Sequence, residues 1–272
     1  MTTILPIALS LVIGLIAAWA MTVPLHRFKE FRPKSRRDIA AEVGGGDTPP
    51  QIVRATYRQA ICPDCHHHYR ATDVAPVVSW FRGCPGCGTS LPGTVPLLQI
   101  GIPVLLTVTV VRLLDFVGNW AVVIPFIWLV IVLGAISLVD YRIWLIPYWM
   151  PWVGAGAGLV LITGASLTID KPGAILYALG GGVALFVLFF LLWMFAPAKL
   201  GFSDVRLAFL IGMFLGWLHP LLPIYGLLFG SLAALVVGGI SIATKNGDRF
   251  AFGPALALGT LCAVWLAGPI LA

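Results

Sequence analysis

The chain has 272 residues, of which 59% are hydrophobic and 10% charged, with a mean hydropathy of +0.97 and a formal net charge of +6. A soluble domain of this length cannot hide that much apolar surface, so composition points to a polytopic membrane protein. The excess of Lys and Arg is accounted for below by membrane orientation, and no pattern for binding RNA or DNA is present.

A bilayer core of ~30 Å needs roughly 20 apolar residues per helical span. On that ruler the sequence predicts an all-α protein with about eight spans, near 4–24, 95–114, 120–139, 148–168, 173–195, 205–218, 221–243 and 252–271. The first carries no basic residue ahead of its apolar core, and the cluster HRFKEFRPKSRR follows it. That order suits an uncleaved anchor with its N-terminus outside rather than a signal peptide. Fifteen of the 17 Lys and Arg residues fall in 26–94, 140–147, 196–206 and 244–250, and the alternate side holds only Arg112 and Lys171. By the positive-inside rule those four segments face the cytoplasm and both termini lie outside.

Three regions follow: a first anchor (1–25), a soluble cytoplasmic module with a basic linker (26–94) and a seven-helix membrane domain (95–272). GGGDTPP at 44–50 reads as irregular linker. Beyond it, Cys62, Cys65, Cys84 and Cys87 form a C-x2-C-x18-C-x2-C array. Two thiolate pairs on separate knuckles can close a tetrahedron around zinc, and a reducing cytosol disfavours disulfides. Four sulfurs leave no coordination position for water, so such a zinc is structural. The adjacent His66, His67 and His68 are then expected to face solvent, and Cys262 to be a small packing residue in the last span.

The chemistry is sought instead in two acids at span ends. Asp140 closes the third predicted span and Asp204 opens the sixth, on the same side of the membrane, whereas Asp115 and Asp170 fall on the other. An ionisable group at such a position is costly and calls for a reason. Three readings compete: interfacial acids paired with Arg142 and Arg206; an ion pathway; or an aspartic dyad that activates water. In a dyad one carboxylate takes a proton from water while the other, protonated, polarises the scissile carbonyl, and the protons belong to the pair.

The chain resembles the type IV prepilin peptidases, membrane aspartic proteases, in four ordered features. Asp73-Val74-Ala75-Pro76-Val77-Val78-Ser79-Trp80, between the cysteine pairs, is similar to a D-x-x-P-x-x-S-W stretch. Asp140 precedes Ile146-Pro147 as the family's first catalytic Asp precedes an Ile-Pro. Gly201-Phe202-Ser203-Asp204-Val205-Arg206-Leu207 resembles G-x-G-D-V-K-L, which carries the second catalytic Asp. Phe252-Gly253-Pro254 with Ala257-Leu258-Gly259 resembles F-G-P-x-L-A-x-G. The resemblance implies removal of the leader from a prepilin or pseudopilin precursor at the cytoplasmic face of the inner membrane. Asp140 and Asp204 would be catalytic. Gly201, Ser203, Arg206, Phe252, Gly253 and Pro254 would line the substrate site, and the zinc module would cap or shape its mouth.

There are departures. Ser203 stands where the family has a second glycine, and Arg206 where it has lysine. Relatives also methylate the new N-terminus from S-adenosylmethionine, but the Asn and Arg-Leu-Pro that follow their first helix are missing here. Val95-Pro96-Leu97-Leu98-Gln99 replaces Tyr-Pro-x-x-Glu, so the acid is gone. GAGAG at 154–158 and GGG at 180–182 lie mid-span, where small residues allow close helix packing rather than nucleoside binding. The alternatives are an ion-coupled transporter, for which no internal repeat is found, and a non-catalytic assembly scaffold with an accessory zinc module.

Overall fold

A computed structural model describes residues 4–26, 62, 65, 67–91, 93–143, 146–195, 201–243 and 252–271. The basic run after residue 26, the 44–50 linker, His66 and the 244–250 loop lie outside the described residues.

Each expected span has a helix. These are α1 (Ile4–His26), α3 (Thr94–Val117), α4 (Trp120–Ile143), α5 (Trp149–Thr168), α6 (Ala174–Phe195), α7 (Phe202–Leu218), α8 (Leu222–Ala243) and α9 (Phe252–Trp265), the last followed by the short α10 (Ala267–Leu271). The soluble module contributes a 3-10 turn (Ala71–Val74) and α2 (Val78–Arg82). In lipid the backbone must satisfy its own hydrogen bonds, which makes helix the available state for apolar runs of this length, even across Pro103 and Pro125. Among the described residues, six helices are long and apolar enough to span a membrane: α1, α3, α4, α5, α6 and α8. The chain is thus a multi-pass membrane protein. Helices α7 and α9 are shorter, at 17 and 14 residues.

The brevity of α7 goes with its place in the bundle. Nearly every residue from Asp204 to Trp217 is buried, apart from Arg206 and Phe209. Helix α7 is therefore an internal pillar, flanked by α6, α5, α8 and α9. Its tightest neighbour is α6, where a Cβ on Gly216 would stand 2.6 Å from the Tyr177 carbonyl and 3.0 Å from the Gly181 Cα. Only glycine permits that approach. Of the two small-residue runs noted in the sequence, Gly181 and Gly182 face α7, while Gly154 and Gly158 of α5 receive Leu210 and Phe214 from it. Phe126 of α4 meets Phe214 edge-on and stacks with Trp217, closing the centre.

Helices α1 and α3 form an edge pair that leans on α4. Helix α1 runs antiparallel to α3, pairing Ser10 with Thr107 and Thr22 with Gln99 across the long module between them. The later helices alternate across shorter links, so one end of the bundle collects the C-termini of α1 and α4 with the N-termini of α3, α7 and α9. Both aspartates and the cysteine module sit at this end.

Candidate functional site

Asp140 lies in the last turn of α4 and is 6% exposed; Asp204 lies in the first turn of α7 and is 8% exposed. Each has a backbone amide as partner. The Gly253 N–H, in the first turn of α9, donates to Asp140 Oδ2 at 2.8 Å. The Gly201 N–H donates to Asp204 Oδ2 at 3.3 Å, so the third helical residue caps its own helix start. Helix beginnings carry amides with no intrahelical acceptor, and here two such beginnings each fix one carboxylate. The acids lie close enough to interact directly by charge.

Three separated stretches of sequence are thus gathered at one end of the bundle. Glycine at 253 is a steric requirement: a Cβ there would stand 2.7 Å from Asp140 Oδ2 and 3.3 Å from its Cγ. A Cβ at Gly201 would be 3.0 Å from Ser203 Oγ and 3.3 Å from Asp204 Oδ2, so the start of α7 leaves little room for a side chain there. Ile146 and Pro147 are buried just after α4, while Phe252 and Pro254 are half-buried. Arg206 does not pair with Asp204. Its guanidinium lies 4.7 Å from the centre of the Phe202 ring, which in turn packs on Trp193. Interfacial pairing of Asp204 with Arg206 is therefore not what the structure has, and the Arg142 side chain lies outside the described residues.

The four cysteines also converge. Their Sγ atoms all lie within 4.8 Å of one another, with Cys62–Cys87 at 3.7 Å and Cys65–Cys84 at 3.6 Å. A tetrahedral site with metal–sulfur bonds of ~2.3 Å has sulfur–sulfur edges of about 3.8 Å, so the donor set fits a metal ion. Each knuckle is a backbone turn: Cys62 N–H donates to the His67 carbonyl at 2.9 Å, and Cys84 N–H to that of Thr89 at 2.8 Å. Gly83 and Gly88, at φ 66° and 74°, take the left-handed conformations that the second turn needs.

One histidine departs from expectation. His68 is exposed, but His67 Nε2 is 3.1 Å from Asp73 Oδ2, which also accepts the Arg70 amide at 2.9 Å. Burial pushes the Asp73 carboxyl up, but the Arg70 amide and the His67 ring outweigh it and hold it below the ordinary range. His67 therefore braces the first knuckle from the side and is not a free surface residue.

The sequence reading also missed how the module is held. Gln99 of α3 is 0% exposed. Its Oε1 accepts from Trp80 Nε1 at 2.6 Å; its Nε2 donates to the Val74 carbonyl at 2.7 Å and to Thr22 Oγ1 at 3.4 Å. One amide ties α3, α1, the 3-10 turn and α2 together. The signal available was a lone glutamine on an otherwise apolar helix face, five residues into a span.

Comparison with known proteins is consistent in direction. The chain is 27% identical to a prepilin leader peptidase/N-methyltransferase of Aeromonas hydrophila, over 90% of this chain and 86% of that protein. It is 27% identical to one from Burkholderia pseudomallei (strain 1026b), over 97% and 86%, and 25% identical to one from Stutzerimonas stutzeri, over 94% and 89%. No family model matches, and no solved structure matches.

Proposed function

We propose that this chain, which belongs to the prepilin leader peptidase family, cuts the leader from a prepilin or pseudopilin precursor with Asp140 and Asp204 as an aspartic pair. What supports the proposal is that two buried acids, each accepting from one glycine amide, stand at one end of the bundle, with Asp140 near enough to act on Asp204 by charge. Both first-turn amides engage Oδ2, which leaves the other oxygen of each carboxyl for water and for the scissile carbonyl. One carboxylate accepts a proton as water adds to the carbonyl carbon; the other donates its proton to the carbonyl oxygen. Collapse of the tetrahedral adduct then breaks the C–N bond, and the new amine takes a proton from the pair. Gly201, Ser203, Phe252, Gly253 and Pro254 border this point, and a cleavage segment laid across it would be extended. The bias of Lys and Arg assigns this end to the cytoplasmic face of the inner membrane, with both termini outside.

Cys62, Cys65, Cys84 and Cys87 would hold zinc with a closed shell, and the ion would supply a fold constraint rather than a Lewis acid. The relatives' printed name carries a second activity, N-methylation, which the proposal does not extend to this chain. Gln99 has its amide taken up by Trp80, Val74 and Thr22, and the described residues contain no glycine-rich turn between strand and helix to cradle a nucleoside.

The test is to reconstitute the full chain with a pilin-like precursor and read a leader-sized loss of mass. Asp140→Asn and Asp204→Asn should each lower the rate by about 10²–10⁴-fold, the usual worth of a positioned acid or base, with protein level and metal content unchanged. A doubly substituted chain that still trims the precursor overturns the assignment. A wild-type chain that never trims it, yet moves ions across vesicles in a manner lost in the same variants, favours the transporter.

A further inference from the structure

Helix α2 leaves an apolar tip uncovered. Phe81 is 85% exposed and Val77, which caps the helix, 52%. Arg82 beside them is exposed as well. The other side of α2 is turned inward: Ser79 is buried, and Trp80 is half-buried with its indole on Gln99. Val77 adopts φ 67° and ψ −55°, a conformation that a β-branched residue takes only under constraint and that tends to mark function.

The level of this tip relative to the lipid follows from its tether. Helix α3 has 24 residues, about 36 Å of helix, against a hydrocarbon core of ~30 Å. The excess of about 6 Å, shared between the two ends, brings the first residues of α3 into the headgroup zone, and Gln99, five residues in, lies within about one turn of the hydrocarbon boundary. Thr22, which accepts from the same Gln99 amide, lies about one turn from the C-terminal end of α1. Through the one Gln99 amide, α3 and α1 thus hold Trp80 near the bilayer surface, where amphipathic aromatic rings gather. The 3-10 turn packs on α1, at the edge of the bundle rather than over its centre. Among the described residues the outer side of α1 is uncovered, presenting Leu5, Val12 and Ile16 as a lipid-facing helix does.

The geometry points to an interfacial lipid contact made by Val77, Phe81 and Arg82, with the two apolar side chains entering the headgroup–acyl boundary and the guanidinium meeting an anionic headgroup. A five-residue helix buries too little surface to hold a membrane alone. Here the neighbouring spans have already brought it there, so the contact fixes the tilt of the module rather than its attachment. Arginine suits this position because its stem lies along the apolar boundary while its head stays hydrated.

The experiment uses the full-length chain in vesicles of phosphatidylcholine with and without phosphatidylglycerol. A photoreactive benzoylphenylalanine replaces Phe81 or, separately, Val77, sites whose exposure tolerates the larger ring. The same label at Leu97, 64% exposed on α3, reports a lipid-facing position, and bound metal reports that each variant is folded. Lipid-mass adducts at 81 and at 77 are expected. Arg82→Glu should lower the adduct at 81 by at least about threefold in vesicles containing phosphatidylglycerol and leave it unchanged in neutral ones, as one basic charge near an anionic surface predicts. Adducts to a second copy of the chain, or no adduct at 81 while Leu97 labels normally, would overturn the inference. So would an Arg82→Glu chain whose labelling is the same in both membranes.

Discussion

Gly253 sets the position of Asp140 by what it lacks. A methyl group there would press on Oδ2 from 2.7 Å, so Gly253→Ala must move either the carboxylate or the start of α9. Displacements near 1 Å are worth about a hundredfold in rate at a reacting group. Gly253→Ala is therefore expected to cut precursor cleavage by about that factor with little change in thermal stability, because the rest of α9 stays packed; kinetics and melting measured on one preparation check both halves. Gln99→Glu should do the reverse. A carboxylate can keep neither donation to the Val74 carbonyl nor that to Thr22, and leaving buried acceptors opposed costs about 1–3 kcal/mol. The expected reading is a lower melting temperature of the whole chain, with Gln99→Met milder than Gln99→Glu. The two residues also differ in how far sequence exposed them. The aspartates were legible because a charge at the end of an apolar run is conspicuous. Gln99 was noted only as a missing acid, since nothing in a linear sequence shows that an amide offers donor and acceptor to three elements at once.

Apolar length located the elements, and the structure has a helix at every predicted span. What length could not report is which face of a helix meets protein and which meets lipid. The span read at 205–218 is a 17-residue pillar buried on nearly all sides, and its hydrophobicity is that of a core rather than a lipid contact. Its beginning at Phe202 also brings Asp204 inside the helix as the third residue, where its carboxylate can reach back to the Gly201 amide. The glycines at 180–182 were readable as packing residues, but only the fold separates Gly180, with open space around it, from Gly181 against Gly212 and Gly216. That difference is testable. Gly216→Leu should force α6 from α7 and destabilise the protein by about 1–3 kcal/mol or more through overpacking. Gly180→Leu, on the free face, should leave melting and cleavage near wild type. Equal damage from both would mean that the α6–α7 crossing is misplaced.

At the scale of the whole molecule, two sites share one end of the bundle but depend on different structure. Asp140, Asp204 and Gly253 are held by α4, α7 and α9, helices packed on one another through the bundle's own core. The cysteine module is held by its metal-ligand turns and by Gln99, at the α1–α3 edge. The sequence reading has the module cap or shape the catalytic mouth; its described anchors run to α1 and α3. A structural metal then serves the tether, since folding of the knuckles presents Trp80 and the Val74 carbonyl to Gln99. Removing it with a strong chelator, or by Cys62→Ser, should free the 3-10 turn and α2, lower the melting temperature and open the chain to protease within 67–91. The aspartate pair should persist, because among the described residues none of its contacts passes through the module. The measurement is cleavage per folded molecule: chelated protein, corrected for the fraction still folded, should process precursor within about threefold of the metal-bound chain, whereas loss of an acid costs about 10²–10⁴-fold. If chelation silences the folded fraction as thoroughly as Asp140→Asn, the module takes part in presenting the substrate, and the separation of tether from chemistry drawn here is wrong.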